Sequence, residues 1–400
     1  MTSPARRAEA AQASSTFHVA MAMIGAQAFG ESLRMWDDVV PTSTRAASTG
    51  VKFVEAAIKL LRLRRHQVQA IVIPYLRLTR ALHTGYTFQP VWGAEPDEIT
   101  LNKLRQDFVE AVRRFAPDAL STAEVGDEYD GDKVDDSFVV EMPDGGQYRP
   151  YAGTGNDDSV ITEELDRLQE LLDETEAAAE AEAQAVLDAL AKDLLEEKLK
   201  KLEVEQLTAQ EADRRQEDEH GVVGRRVAAH VERMTQNGGR HTEDVIARRD
   251  PRAIGFVRVH YPKGDPEPCS FCAMLISRGI VYRSGRKDPD SKVPMGTSER
   301  RSTRDNERWQ MWRKGFDVPG AEFDKYHPLC HCRGEAVYSA EQYDEDGRFQ
   351  VNRELDQLWQ DEIAKKGYRA KEAESQWRII INARNQRLRQ ERGAKEHSHA

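Results

Sequence analysis

The chain has 400 residues, of which 39% are hydrophobic and 32% charged, and its formal net charge is −11. This length allows two or three domains, and the absence of any apolar run near the roughly 18 residues of a membrane span predicts no membrane partner. The charge is uneven: residues 93–220 hold 37 acidic and 13 basic side chains, whereas residues 1–92 carry +6 and residues 221–400 carry +7. An acidic middle between basic ends predicts segments with different partners.

The N-terminal helical region is predicted to span residues 1–123. The stretch "HVAMAMIGAQAFG" (18–30) has some features of a secretory signal peptide, but Glu9 interrupts its basic flank. Its apolar residues also recur at helical spacing, so we favour a helix over 16–37. A second helix is predicted over 50–83, and Thr100 is a candidate N-cap for a third. A chain made in the cytoplasm keeps its thiols reduced, which favours metal binding over disulfides.

The acidic middle contains two predicted elements. Residues 124–158 form an acidic loop with a small hairpin near 138–150, turning at Pro143 to Gly146. Residues 159–219 lack glycine and proline from 160 to 217 and carry leucines at three- and four-residue steps, so we expect a long charged helix. Its narrow apolar stripe fits a solvated helix on the body of the protein, or a coiled-coil assembly helix.

The remaining chain is predicted to be an α+β module, residues 220–340, followed by a helical basic tail, residues 341–400. A helix is expected before Gly238 and Gly239, which are predicted to form a turn. Three short segments with strand-like composition predict β-strands at 256–261, 279–284 and 334–338. The fold class is therefore mainly α, with a small antiparallel sheet in this module.

Two short segments contain the chain's four cysteines. Cys269 and Cys272 lie in "CSFC", and Cys330 and Cys332 lie in "YHPLCHC". A C-x-x-C turn can direct two thiolates at one ion, and a second pair can complete a tetrahedron, so we predict a structural zinc site. The second pair has the less usual C-x-C spacing, so His327 or His331 could replace one thiol. Disulfides, reduced core thiols and, least favoured, a catalytic cysteine are the alternatives.

Catalytic motifs do not favour an enzyme. A thiol nucleophile needs a positioned base and an oxyanion site, and the neighbouring His331 does not supply that geometry by itself. The sequence contains no H-E-x-x-H, G-x-S-x-G or phosphate-binding glycine loop. We therefore predict no catalytic residue, no cofactor-binding residue besides the metal ligands, and no small-molecule substrate.

Three segments carry a resemblance to known proteins: "NGGR" (237–240), "DPRAIGFVRVHYPKGDPEPCSFCAMLISRGIVYRSG" (250–285) and "FDKYHPLCHCRGEAVY" (323–338). Together they resemble the phage Mu F-like minor head proteins, especially the branch from phages of actinobacteria. The resemblance covers residues 220–340. It implies a minor capsid protein of a tailed phage, active in head morphogenesis and built into the procapsid near the portal.

The resemblance also implies partners and a location. Portal and capsid or scaffold proteins would be the partners, with possible DNA contacts through the basic ends, and the protein would lie inside the virion head after assembly in the bacterial cytoplasm. Many relatives in that branch are labelled capsid maturation proteases, which is the alternative function. A zinc-binding nucleic-acid protein of host origin is a third hypothesis.

Overall fold

The structure, a computed structural model, describes residues 3–40, 47–87, 99–122, 139–140, scattered positions between 173 and 187, and residues 208–250, 252–261, 267–280, 332–368 and 370–398. Contacts divide these residues into two compact units, one up to Ile246 and one from Ala247 onward. No helix among them is long and apolar enough to cross a membrane. The division of the chain into five segments (1–123, 124–158, 159–219, 220–340 and 341–400) stays a prediction.

The described elements confirm the mainly α class with a small antiparallel sheet. In chain order they begin with α1 (Pro4–Val39), α2 (Ala47–Thr84), β1 (Ile99–Thr100), α3 (Leu101–Phe115), α4 (Asp118–Thr122), β2 (Val139–Val140) and α5 (Ala209–Arg249). They continue with β3 (Gly255–Val259), α6 (Ser270–Ile276), β4 (Arg333–Val337), α7 (Ala340–Glu345), a 3-10 turn (Gly347–Phe349), α8 (Gln350–Trp359), a π-helical turn (Gln360–Ala364) and α9 (Ala370–Ser398).

The first unit has one apolar core among α1, α2 and α3. Phe17 of α1 stacks on Tyr75 of α2 with ring centroids 4.5 Å apart, and Phe108 of α3 lies 6.1 Å from Tyr75. The expected N-cap of α3 is confirmed, because the Thr100 hydroxyl accepts a hydrogen bond from the backbone N–H of Lys103 at 3.2 Å. That bond satisfies one of the free donors at the helix start.

A second apolar core surrounds Trp36, whose indole meets Phe53 edge-on at 5.1 Å. Its indole N–H donates to the backbone carbonyl of His220 in α5 at 3.2 Å. The described positions between 173 and 187 are helical, and Ala183 and Leu187 are buried in this core. At these positions the acidic segment lies on the body of the protein. The other residues of the predicted long helix before Thr208 lie outside the described residues.

The start of α5 follows from a capping box. The Thr208 hydroxyl and backbone N–H both donate to the Glu211 carboxylate, at 2.6 and 3.1 Å, and Glu211 N–H donates back to the hydroxyl. These bonds, led by the one from the Thr208 side chain, lower the pKa of Glu211 below its usual value. The reciprocal pair explains why the helix begins at Ala209.

The predicted turn at Gly238 and Gly239 is wrong, since both glycines lie inside α5. The physical reason is close helix packing. A Cβ on Gly239 would lie 2.8 Å from Val68 Cγ1 and 3.2 Å from Met21 Sδ, and a Cβ on Gly238 would lie 3.2 Å from Arg65 Cβ. Glycine here allows α1 and α2 to approach the backbone of α5, which outweighs its low helix propensity.

The second unit contains the antiparallel pair β3 and β4, which confirms the strands expected at 256–261 and 334–338 as neighbours. Gly255 pairs with Val337, and the register runs to Val259 opposite Arg333. A Cβ on Gly334 would fall 1.8 Å from Phe256 Cζ, so the Phe256 ring lies directly over that glycine.

Two other strand predictions have different outcomes. Gly279 and Ile280 are not in a strand, and 281–284 lie outside the described residues. Val139 and Val140 form a strand, as expected. This strand pairs with Ile99 and Thr100, which lie about 40 residues earlier in the chain. The rest of that expected hairpin, 141–150, also lies outside the described residues.

Replacing Gly224 by alanine should destabilise the first unit. The added Cβ would lie 2.5 Å from Cδ1 of Trp36, a fully buried ring that cannot easily move. We expect Gly224→Ala to lower the free energy of unfolding by about 1–3 kcal/mol. Gly30→Ala in α1 is the matched control, since nothing lies within 4 Å of its Cβ, and it should raise that free energy by up to about 1 kcal/mol. Urea denaturation of both variants checks this, and equal stabilities would contradict the close packing of Trp36 on α5.

His230 of α5 should make stability depend on pH. Burial, followed by the nearby charge of Arg233, lowers the pKa of His230 to about 4. Unfolded histidine titrates near 6.5, so between about pH 6.5 and 4 the unfolded chain binds more protons and the free energy of unfolding falls as the pH falls.

His230→Gln should reduce that loss of stability, which thermal unfolding between pH 4 and 7 measures. His66→Gln, at an exposed position of α2, is the control and should keep the wild-type slope. A His230→Gln slope equal to that of wild type would show that the imidazole of His230 is not responsible.

Candidate metal centre

The C-x-x-C segment forms the start of α6. Cys269 is the N-cap of that helix, and its Sγ accepts a hydrogen bond from the backbone N–H of Cys272 at 3.4 Å. Cys269 is exposed and Cys272 is buried. The turn therefore fixes the backbone of the pair, with one sulfur open to solvent and one inside.

Helix α9 holds this segment in place. Arg384 and Arg392 each donate to the carboxylate of Glu267, at 2.9 and 2.8 Å. Two more α9 side chains donate to backbone carbonyls of the segment: Asn385 Nδ2 to Pro268 O at 2.9 Å and Trp377 Nε1 to Ser270 O at 3.1 Å. The tail was expected to be a basic surface, and part of that charge is instead used inside the second unit.

The other described cysteine lies beside a histidine. Cys332 directly precedes β4 and His260 directly follows β3, so the register that pairs Val259 with Arg333 brings them side by side. Cys332 Sγ lies 3.5 Å from His260 Nδ1. Cys332 is 1% exposed. A buried sulfur and a nitrogen of the partly buried His260 thus lie side by side at the end of the sheet.

The predicted ligands are only partly described. Cys269, Cys272 and Cys332 have the positions given above, whereas His327, Cys330 and His331 lie outside the described residues. Within the part of the chain that the structure describes, no group of three or more histidine, cysteine or acidic side chains could hold a metal ion. The six-residue ligand set therefore stays a prediction, and the structure brings together Cys332 and His260.

His260 was missing from the predicted ligand set. It is 72 residues from Cys332 in the chain, so spacing within either cysteine segment gives no sign of it. Part of the signal was available in the strand pairing: if 256–261 and 334–338 are antiparallel neighbours, the end of the first strand, where His260 lies, meets the start of the second, just after Cys332.

A buried carboxylate orders the residues next to this pair. Glu335 accepts hydrogen bonds from Tyr261 Oη and Arg333 Nη2, both at 2.7 Å, and from Arg348 Nη1 at 2.8 Å. Arg348 also donates to both carboxylate oxygens of Asp346. Since Tyr261 follows His260 and Arg333 follows Cys332, one carboxylate ties down both chain neighbours of the thiol–imidazole pair.

The charges in this network compensate each other. Burial alone lowers the pKa of the Arg348 guanidinium, but the negative charge of Glu335, with Tyr261 and Asp346, more than reverses that effect and raises its pKa. Arg333 is completely buried and Glu335 is 4% exposed. The buried Arg333 and the mostly buried Arg348 therefore depend on the carboxylates of Glu335 and Asp346 for their stability.

Removing the negative charge of Glu335 should strongly destabilise the second unit. Glu335→Gln leaves Arg333 without its buried anionic partner, and breaking such a pair from one side costs about 3–5 kcal/mol. The midpoint of urea denaturation measures the effect. Glu362→Gln is the control, because Glu362 pairs with Lys366 on the surface, and it should leave the midpoint nearly unchanged. Similar midpoints for the two variants would contradict the role of Glu335.

Comparison with protein families gives one match. Residues 174–362 match the family model described as VG15 protein, a viral family that includes phage proteins. The match spans 189 residues, slightly less than half of the chain, and includes α5, the β3–β4 sheet and α8. Neither a curated protein nor a solved structure shows significant similarity. The matched segment thus contains the described cysteines, His260 and the network around Glu335.

Proposed function

We propose that this protein is a minor capsid protein of a tailed phage, associated with the portal and the procapsid during head morphogenesis. The observation that carries the proposal is the viral family match over 174–362. That segment includes the whole stretch, 220–340, in which the sequence resembles the Mu F-like minor head proteins. The family match and the resemblance therefore fall on the same residues.

The described architecture is consistent with a structural role. In the second unit the buried side chains serve packing and ion pairing: Trp377 packs on Trp359 at 5.0 Å, and Glu335 binds two arginines. Such a network gives a rigid body suited to docking, since its side chains are held by one another.

The outward side of α9 supplies the basic surface for a partner. Arg378 and Arg387 are exposed, and Arg387 has only a loose ion pair with Glu391, at 3.9 Å. Ile379, beside Arg378, is 59% exposed. This combination suits an acidic protein face or the phosphates of packaged DNA, which would place the protein inside the virion head.

The alternative function is a capsid maturation protease. The pair of Cys332 and His260 has the residue types of a thiol nucleophile and its base. However, Cys332 is 1% exposed, and a peptide bond must reach the sulfur for acyl transfer. Burial therefore supports a structural use of this thiol over a catalytic one.

Assembly in cells tests the proposal. The protein is co-expressed with the portal, scaffold and major capsid proteins of the phage that encodes it, and procapsids are isolated by sedimentation. We expect the chain to sediment with procapsids and unprocessed capsid protein to stay uncleaved. A folded chain that never sediments with procapsids would contradict the minor capsid role, and specific cleavage would favour the protease.

The basic surface is tested by a double variant in the same assay. Arg378→Gln with Arg387→Gln should reduce the amount of protein or DNA retained in particles several-fold, and more at low salt because surface charges are then less screened. Arg225→Gln with Arg226→Gln, also exposed, is the charge-matched control on α5. Equal retention of both double variants would show that α9 is not the docking surface.

A further inference from the structure

The thiol of Cys332 and the imidazole of His260 bring two metal-binding atoms within 3.5 Å of each other. We propose that His260 Nδ1 and Cys332 Sγ are two ligands of one tetrahedral metal site, with zinc as the preferred ion. Imidazole nitrogen and thiolate sulfur are the donors that zinc takes in structural sites. His260 thereby becomes a ligand that lies outside both cysteine segments.

The distance between the two atoms fits a shared ion. Zinc–sulfur and zinc–nitrogen bonds of about 2.3 and 2.0–2.1 Å at a tetrahedral angle put the two ligand atoms about 3.6 Å apart. The observed separation of Sγ and Nδ1 is 3.5 Å. A metal can therefore bind between these atoms with little movement of either strand.

The surroundings hold both ligands in position before a metal arrives. Tyr261 and Arg333, the residues that follow them, each donate to the same Glu335 oxygen at 2.7 Å. The Arg333 guanidinium also lies 5.3 Å from the centroid of the Tyr261 ring. Ligands whose neighbours are locked in this way lose little conformational entropy on binding, which raises metal affinity.

The chain next to Cys332 is rich in further donors. Cys330 and His331 are its close neighbours in sequence, and His327 is five residues before it. Tetrahedral zinc needs two ligands besides His260 and Cys332, and we expect them to come from these sequence neighbours, which lie outside the described residues. The proposal thus differs from a four-thiol site, because it makes His260 essential and leaves Cys269 dispensable.

A thiol–imidazole hydrogen bond has a similar length, so metal binding itself must be measured. The full-length protein is purified under reducing conditions, freed of metal, and titrated with Co²⁺ and then Zn²⁺. We expect about one ion per chain and a sulfur-to-cobalt charge-transfer band. His260→Gln and Cys332→Ser should each weaken binding by about 100-fold or more, since even outer-shell partners of a metal are worth about 10–100-fold.

Three further variants give controls and a rescue. His66→Gln, on exposed surface, and Cys269→Ser should bind as wild type does, with circular dichroism checking that each variant is folded. His260→Cys should restore binding and strengthen the charge-transfer band, because a thiolate replaces the imidazole. If His260→Gln fails to fold, this rescue variant decides the role of residue 260.

Several results would overturn the proposal: no bound metal in wild type, wild-type affinity in folded His260→Gln, or an unchanged cobalt spectrum in metal-bound His260→Cys. Loss of binding in Cys269→Ser alone would also overturn it, in favour of a site on the C-x-x-C turn. These measurements use the isolated protein, so they stand or fall separately from the proposed role in the phage head.

Discussion

The buried carboxylate of Glu335 determines how the ends of the two-stranded sheet are arranged. It accepts hydrogen bonds from Arg333 of β4, from Tyr261 just beyond β3, and from Arg348 in the turn before α8. A two-stranded sheet alone is marginal in water, so the Glu335 carboxylate and the packing of α6 on β3 and of α7 on β4 stabilise it. The thiol of Cys332 and the imidazole of His260 owe their proximity to that register.

The first unit rests on a different constraint, the absence of side chains where helices cross. Gly224 makes room for Trp36, and Gly239 makes room for Val68 and Met21. Each glycine costs helix propensity of about 1 kcal/mol relative to alanine, and the close contact of large apolar groups offsets it. A large side chain of α1 or α2 facing a glycine of α5 thereby determines where these helices pack against each other.

Local signals in the sequence predicted much of this fold. The helical spacing of α1 to α3, the cap at Thr100 and the pairing of β3 with β4 could all be inferred from nearby residues. Gly238 and Gly239 could not, because glycine pairs usually mark turns and the packing that keeps them helical comes from residues more than 160 positions away. Distance in sequence also hid the arginines of α9 that bind Glu267, whereas His260 could have been found only by carrying the predicted strand pairing through to its register.

A rigid, metal-stapled sheet would suit a protein that must dock into a large assembly without changing shape. Zinc-edge X-ray absorption of the full-length protein tests the proposed centre most directly, because it reports the donor atoms around the ion. The account predicts a four-coordinate shell that contains both sulfur at about 2.3 Å and nitrogen at about 2.0–2.1 Å, and a decrease in nitrogen scattering with a gain in sulfur scattering in His260→Cys. A shell of sulfur alone in the wild-type protein, or no bound zinc, would contradict it.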